Sequence, residues 1–182
     1  LFAKADDILG YKISDLILNG PQEKLNQTIY TQPAIYLIGH IICNVLKNET
    51  NFFNNKFIYL AGHSLGEYTA LTTANSLTFE QGLILLKNRG EAMHSALPTG
   101  EGGMLAVLGV EIKEIQKLLN ESEGTIKCFL ANDNSNGQLI LSGRNDQLDK
   151  FGLILKEKKF KNIKLPVSAP FHCELMNSAT LK

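Results

Sequence analysis

The chain has 182 residues, 44% of them hydrophobic and 20% charged, an ordinary globular balance with enough apolar material for a core. Its 18 Lys and Arg equal its 18 Asp and Glu, so no global charge points to nucleic acid or to an anionic membrane. Three cysteines, Cys43, Cys128 and Cys173, lie far apart without metal-ligand spacing. That argues against a disulfide framework or a zinc site and for a reducing compartment.

The longest apolar stretch, Ala34 to Leu46, is broken by His40 and Asn44 and is too short and too polar to span a bilayer. No basic segment followed by an apolar one opens the chain, so no signal peptide is expected. The chain starts at Leu1 rather than Met and ends inside a predicted helix, Glu174 to Lys182, which leads us to expect a piece of something longer. No internal repeat is visible.

In chain order, Phe2–Leu9 and Ile13–Leu18 read as short helices, and Gly20-Pro21 as a breaker. Thr31 is expected to cap a helix whose first turn holds Pro33 and which runs to about Leu46. That helix is apolar on most sides, so burial is expected. Phe57–Ala61 reads as a short buried strand, Glu67–Ala74 as a helix and Phe79–Leu97 as another. From Gly103 the pattern changes. Met104–Leu108 reads as strand and Ile112–Leu119 as helix. Ile126–Leu130 and Gln138–Leu141 read as strands around the turn-rich Asn132–Gly137. Gln147–Lys158 reads as helix and Ile163–Val167 as strand. This βαββαβ order is ferredoxin-like. We therefore expect a small domain over 98–167 inserted into a larger α/β one made of 1–97 and 168–182.

Gly62-His63-Ser64-Leu65-Gly66 fits the Gly-x-Ser-x-Gly elbow, a sharp strand-to-helix turn that lifts a serine Oγ clear of its surroundings. Such a pattern arises by chance in about one in twenty chains of this length, so the predicted strand before it and helix after it matter. The helix N-terminus would face developing negative charge, and the Leu65 N–H would donate to an oxyanion. A serine also needs a base. His40 lies in the apolar helix and reads as a packed residue; His63 adjoins the serine and reads as elbow packing; His94 falls on a helix face. His172 follows the last small-domain strand, in a loop at a domain junction, where pockets form. Spacing alone favours it only slightly.

At these residues the sequence resembles the malonyl-CoA:acyl-carrier-protein transacylases and the acyltransferase domains of fatty-acid and polyketide synthases. The matching pieces are Thr31–Ala34, Gly62–Tyr68, Arg89–Met93, Asn132–Gln138 and Pro166–His172, in the family's order and at about its spacing. The resemblance implies an α/β-hydrolase-like core with a ferredoxin-like insert. It makes Ser64 the acylated nucleophile, His172 its base, and Arg89 the residue that binds a malonyl carboxylate. A guanidinium fork suits that task because it pairs a carboxylate bidentately, which an ammonium cannot do. Met93 would line the acyl pocket, with Gln32, Asn134, His63 and Phe171 near it.

The implied reaction is ping-pong transfer from malonyl-CoA, a coenzyme A thioester, to the phosphopantetheine thiol of acyl carrier protein. It needs no bound cofactor or metal, and no nucleic acid or membrane partner. A monomer is implied. Two departures stand out: the family's early Gly-Gln-Gly-x-Gln strand, whose second Gln helps form the oxyanion hole, and its C-terminal helices are not in this chain. No Asp or Glu is an obvious triad acid; Asp133, Asp146 and Asp149 read as turn or helix-face residues. Carrier proteins are typically acidic, so Lys156, Lys158, Lys159, Lys161 and Lys164 could meet one. Methylmalonyl transfer and a serine thioesterase or hydrolase are the alternatives. The setting expected is bacterial cytoplasm, a plastid such as a parasite's, or a mitochondrion.

Overall fold

The computed structural model describes residues 1–51, 53, 59–98, 100–167 and 169–182. It divides into two compact units, Leu1–Glu91 and Ala92–Lys182. The first is helical among the described residues: α1 (Phe2–Leu9), α2 (Ile13–Asn19), α3 (Gln22–Leu25), α4 (Thr28–Glu49), α5 (Gly66–Thr73) and α6 (Phe79–His94), the last ending just past the boundary. Spacing of apolar residues at three and four along α1, α2, α4 and α6 puts Ala5, Leu9, Ile13, Leu16, Ala34, Leu37, Leu83 and Leu86 into one core. Each such fully buried Leu or Ile contributes about 1.5–3 kcal/mol. Tyr36 is fully buried, and its hydroxyl is satisfied by Thr72 Oγ1 at 2.9 Å and by the Phe79 carbonyl at 3.1 Å.

The helix expected from Thr31 starts three residues earlier, at Thr28, so Thr31 is not its cap. Its Oγ1 instead donates toward the Leu25 and Gln27 carbonyls, at 2.5 and 3.0 Å. Pro33 therefore lies inside the helix rather than in its first turn, where it has no N–H for the Ile29 carbonyl. Nor is α4 buried on most sides: Ile35, Ile42 and Val45 are each just over half exposed. By length and composition this helix is apolar enough to cross a membrane, yet Ala34, Tyr36 and Leu37 commit one face to the core. The predicted strand Phe57–Ala61 lies partly outside the described residues. Its remainder is not strand, and Tyr59 is 88% exposed. A strand exists by pairing, and the described strands all belong to the second unit.

That unit holds β1 (Gly102–Leu108), α7 (Ile112–Glu121), β2 (Cys128–Ser135), β3 (Gln138–Arg144), α8 (Asn145–Glu157) and β4 (Lys161–Lys164). The sheet order is β2-β3-β1-β4, every neighbour antiparallel. Period-two alternation sends Leu105, Val107, Leu139 and Leu141 toward α7 and α8, whose Ile115, Leu118, Leu148, Phe151 and Leu155 complete that core. The alternate residues Met104, Ala106 and Ile140 pack with Leu165, Val167 and Phe171. Both sheet faces are therefore covered. A 3-10 turn (Glu174–Met176) and α9 (Asn177–Thr180) stand in place of the single helix expected at the end.

The turn expected over Asn132–Gly137 is shorter. β2 continues to Ser135, with register shifts between Leu130 and Asn132 and between Asp133 and Ser135. As an edge strand it tolerates polar residues on an exposed face, and bulges absorb the extra residues. β4 ends at Lys164 rather than Val167, although the Leu165 N–H still donates to the Met104 carbonyl at 2.9 Å.

His40 stacks on Phe79 at 4.8 Å and on Tyr36 at 6.2 Å, and its Nδ1 is buried without a hydrogen-bond partner. Burial holds the imidazole below its usual 6.5, against an opposing pull from Glu80. As pH falls through 6.5 the unfolded chain protonates first, so stability is lost on the acid side. Melting temperature should drop less between pH 7 and 5.5 in His40→Phe than in the unmodified protein. An equal drop in both would show that His40 does not contribute.

Candidate active site

Ser64 has φ 52°, in the left-handed region where a side chain costs about 1–3 kcal/mol. The turn is closed by Gly66 N–H on the His63 carbonyl (2.9 Å) and Glu67 N–H on the Ser64 carbonyl (3.2 Å), which start α5. A Cβ at Gly62 would overlap the Gly66 carbonyl and the Glu67 nitrogen, so the turn closes this tightly only over glycine. Leu65 has helical angles, which leaves its N–H among the unpaired donors of the first turn. His63 is exposed. Tyr59–Gly62, the α5 residues Glu67, Ala70 and Leu71, and Ala74 just after that helix line an open groove of about 600 Å³.

α6 brings Arg89 to this serine: its Nη2 donates to Ser64 Oγ at 3.0 Å. Its Nη1 donates to Gln32 Oε1 at 2.5 Å, and the guanidinium lies 6.0 Å from the Tyr68 ring centre. Gln32 is 4% exposed, and its Nε2 donates to Thr28 Oγ1, one turn back on α4, at 2.8 Å. The helices come this close because residue 90 is glycine. A Cβ there would stand 3.0 Å from the Thr28 carbonyl oxygen and 3.1 Å from Ile29 Cα.

The second unit holds His172, also left-handed at φ 57°. The preceding Phe171 carbonyl accepts from Ser142 Oγ at 2.5 Å, and Cys173 Sγ donates to the Pro170 carbonyl at 3.1 Å. His172 borders a groove of about 950 Å³ lined in part by Lys127, Cys128 and Phe129. Lys127 pairs with Glu174, which lies two residues after His172. Burial pushes the Cys128 thiol up to about 12 and raises Cys173 too, so neither is an appreciable thiolate at neutral pH. Met93 is buried with Ala169 and Met176, and Phe171 packs on that cluster.

Of the residues singled out in the sequence, the structure brings Ser64, Arg89 and Gln32 together in one unit, and Met93 and Phe171 together in the other, beside His172. Asn134 is exposed, near the β2–β3 hairpin end. Sequence reading missed Thr28 and Tyr68 as site residues. Thr28 precedes Gln32 by four, a helix-face spacing, but the expected helix start at Thr31 hid it. Asp146 lies 3.9 Å from Arg144 and Asp149 3.0 Å from Lys164. Among the described residues, no three His, Cys, Asp or Glu side chains gather as a metal site would require.

A family model described as "Acyl transferase domain" matches residues 4–181. The malonyl CoA-acyl carrier protein transacylase of Haemophilus influenzae is 37% identical over 98% of this chain and 57% of its own length. The crystal structure of an acyl-carrier-protein S-malonyltransferase from Bartonella henselae matches with a TM-score of 0.91 at 35% identity, over 99% of this chain and 58% of that one. A malonyl-transacylase solved in complex with its type II PKS acyl-carrier protein matches at 0.88 and 36%, over 98% of this chain and 57% of that one. The chain thus spans just under three fifths of the length of these relatives.

Gly90→Ala should destabilise the fold by about 1–3 kcal/mol, by forcing α6 away from α4. Gly62→Ala should cost more, since its Cβ would meet backbone on the elbow itself. Urea unfolding measures both; a Gly90→Ala midpoint equal to that of the unmodified protein would refute the close-approach account.

Proposed function

Starting from a chain that belongs to the acyl transferase domain family, we propose that the protein transfers a malonyl group from coenzyme A to an acyl carrier protein through a malonyl-Ser64 intermediate. The observation that carries this is the guanidinium of Arg89 one hydrogen bond from the nucleophile, 3.0 Å from Ser64 Oγ. An acyl group on Ser64 that ends in a carboxylate would take up the Arg89 N–H groups as a bidentate pair. An acetyl group would leave the cation without that partner. Arg89 is only partly buried, so solvent offsets some of the loss, and the preference is about 10- to 100-fold, or 1.4–2.8 kcal/mol.

In the mechanism, Ser64 Oγ attacks the thioester carbonyl as His172 takes its proton. The oxyanion is held by the Leu65 N–H and by the α5 N-terminus. The C–S bond breaks, and the coenzyme A thiolate leaves with the proton from His172. The pantetheine thiol of the carrier protein then attacks the malonyl-serine, again with His172 as base, and Ser64 is regenerated. No cofactor or metal enters these steps.

The architecture we read is an α/β-hydrolase-like core formed by 1–97 and 168–182, with a ferredoxin-like insert over 98–167. The order β1-α7-β2-β3-α8-β4 in an antiparallel β2-β3-β1-β4 sheet supports the insert. Lys156, Lys158, Lys159, Lys161 and Lys164 are exposed around the end of α8 and β4, and they form the proposed face for an acidic carrier protein. Bacterial-type fatty-acid synthesis is the setting that the matched relatives support.

Intact-mass measurement after exposure to malonyl-CoA should show a malonyl adduct that is absent in Ser64→Ala. Acetyl-CoA should label about 10- to 100-fold more slowly, and Arg89→Ala should erase that preference. Equal labelling by both thioesters in the unmodified protein would refute malonyl selectivity. Free malonate released without an adduct would point to a hydrolase.

A further inference from the structure

Arg89 reaches Ser64 through a chain of side chains that begins at a buried threonine. Thr28 and Gln32 are each 4% exposed and lie one turn apart on α4. Gln32 Nε2 donates to Thr28 Oγ1 at 2.8 Å, and Gln32 Oε1 accepts from Arg89 Nη1 at 2.5 Å. Arg89 Nη2 then donates to Ser64 Oγ at 3.0 Å. The polarity of this chain is forced from one end. A guanidinium has only donors, so the amide must turn its oxygen to Arg89. Its NH₂ then faces Thr28, whose hydroxyl must accept.

We propose that Thr28 is a positioning residue for substrate choice: its hydroxyl seats the Gln32 amide so that Oε1 holds Arg89 in place beside Ser64. In this reading Thr28 acts through Gln32 rather than on the acyl group itself. It acts by making one Gln32 orientation satisfactory in a buried site. With that acceptor gone, the Nε2–H that faces Thr28 loses a buried partner. Gln32 then gains by leaving its seat, and Arg89 loses the contact opposite Ser64. The backbone fixes the start of the chain, because Gly90 lets α6 sit against the Thr28 carbonyl. The inference rests on the malonyl reading, since it assigns Thr28 to the selection of a carboxylated acyl group.

The test compares Thr28→Val, which keeps the shape and removes the hydroxyl, with Thr28→Ser, which keeps the hydroxyl. Rates of Ser64 acylation by malonyl-CoA and by acetyl-CoA are read by intact mass, beside melting temperatures. In Thr28→Val the malonyl-to-acetyl rate ratio should fall about tenfold through the malonyl rate alone, the size expected for one seated hydrogen bond. Thr28→Ser should stay within about twofold of the unmodified protein. An unchanged ratio, or a parallel fall in both rates, would overturn the proposal, as would a loss in Thr28→Ser equal to that in Thr28→Val. Should Thr28→Val not fold, Thr28→Ala carries the same comparison. Arg89→Ala separates the two levels. If it erases the ratio while Thr28→Val preserves it, only the role of Thr28 fails. If Arg89→Ala keeps the ratio, the malonyl reading fails and the role of Thr28 goes with it.

Discussion

The site depends on how closely two helices can approach. Arg89 reaches Gln32 and Ser64 because α6 meets the first turn of α4 backbone to backbone, with hydrogen alone at residue 90. A guanidinium is a costly group to hold half out of water, and it is kept where it is by partners from three places: the amide of α4, the hydroxyl of the elbow and the ring of Tyr68 on α5. The α4–α6 contact is itself backed by the apolar core that Tyr36, Leu37, Leu83 and Leu86 build behind it. Geometry at the site therefore inherits its stiffness from close packing rather than from the loop that bears the serine.

Much of the second unit was legible in the sequence, because its elements are short, amphipathic and separated by turn residues. β1, α7, β3 and α8 alternate in period cleanly enough that their order could be read directly. Where the reading failed, a local preference was overruled by something non-local. Asn132–Ser135 looks like a turn by composition, yet it pairs with β3 at the sheet edge, where exposed polar side chains carry little penalty. Thr31-Gln32-Pro33 looks like a helix start, yet Gln27 and Thr28 begin the helix, and Thr31 satisfies itself on carbonyls behind it.

The candidate site was legible to the extent that its chemistry is carried by unusual residue patterns. Ser64 stood out because Gly-x-Ser-x-Gly has a mechanical meaning, and in the structure Ser64 lies in the left-handed region at φ 52°. Arg89 and Gln32 came from resemblance, and the structure places them on one another and on the serine. Thr28 and Tyr68 are ordinary residues at ordinary helical positions. Nothing in their type announces a role, which exists only once Gln32 and Arg89 have been placed in space.

The segment that leads to His172 doubles as the cover of one sheet face, since Leu165, Val167 and Phe171 pack on Met104, Ala106 and Ile140. A surface loop is usually free to wander at small thermal cost. This one cannot swing outward without wetting a hydrophobic layer, at about 25 cal/mol for each Å² uncovered. Its opening belongs energetically to the unfolding of the sheet unit rather than to loop fraying. The place of His172 in the chain is thus tied to the stability of a β-sheet, because Phe171 just before it is held against Met104, Ala106 and Ile140.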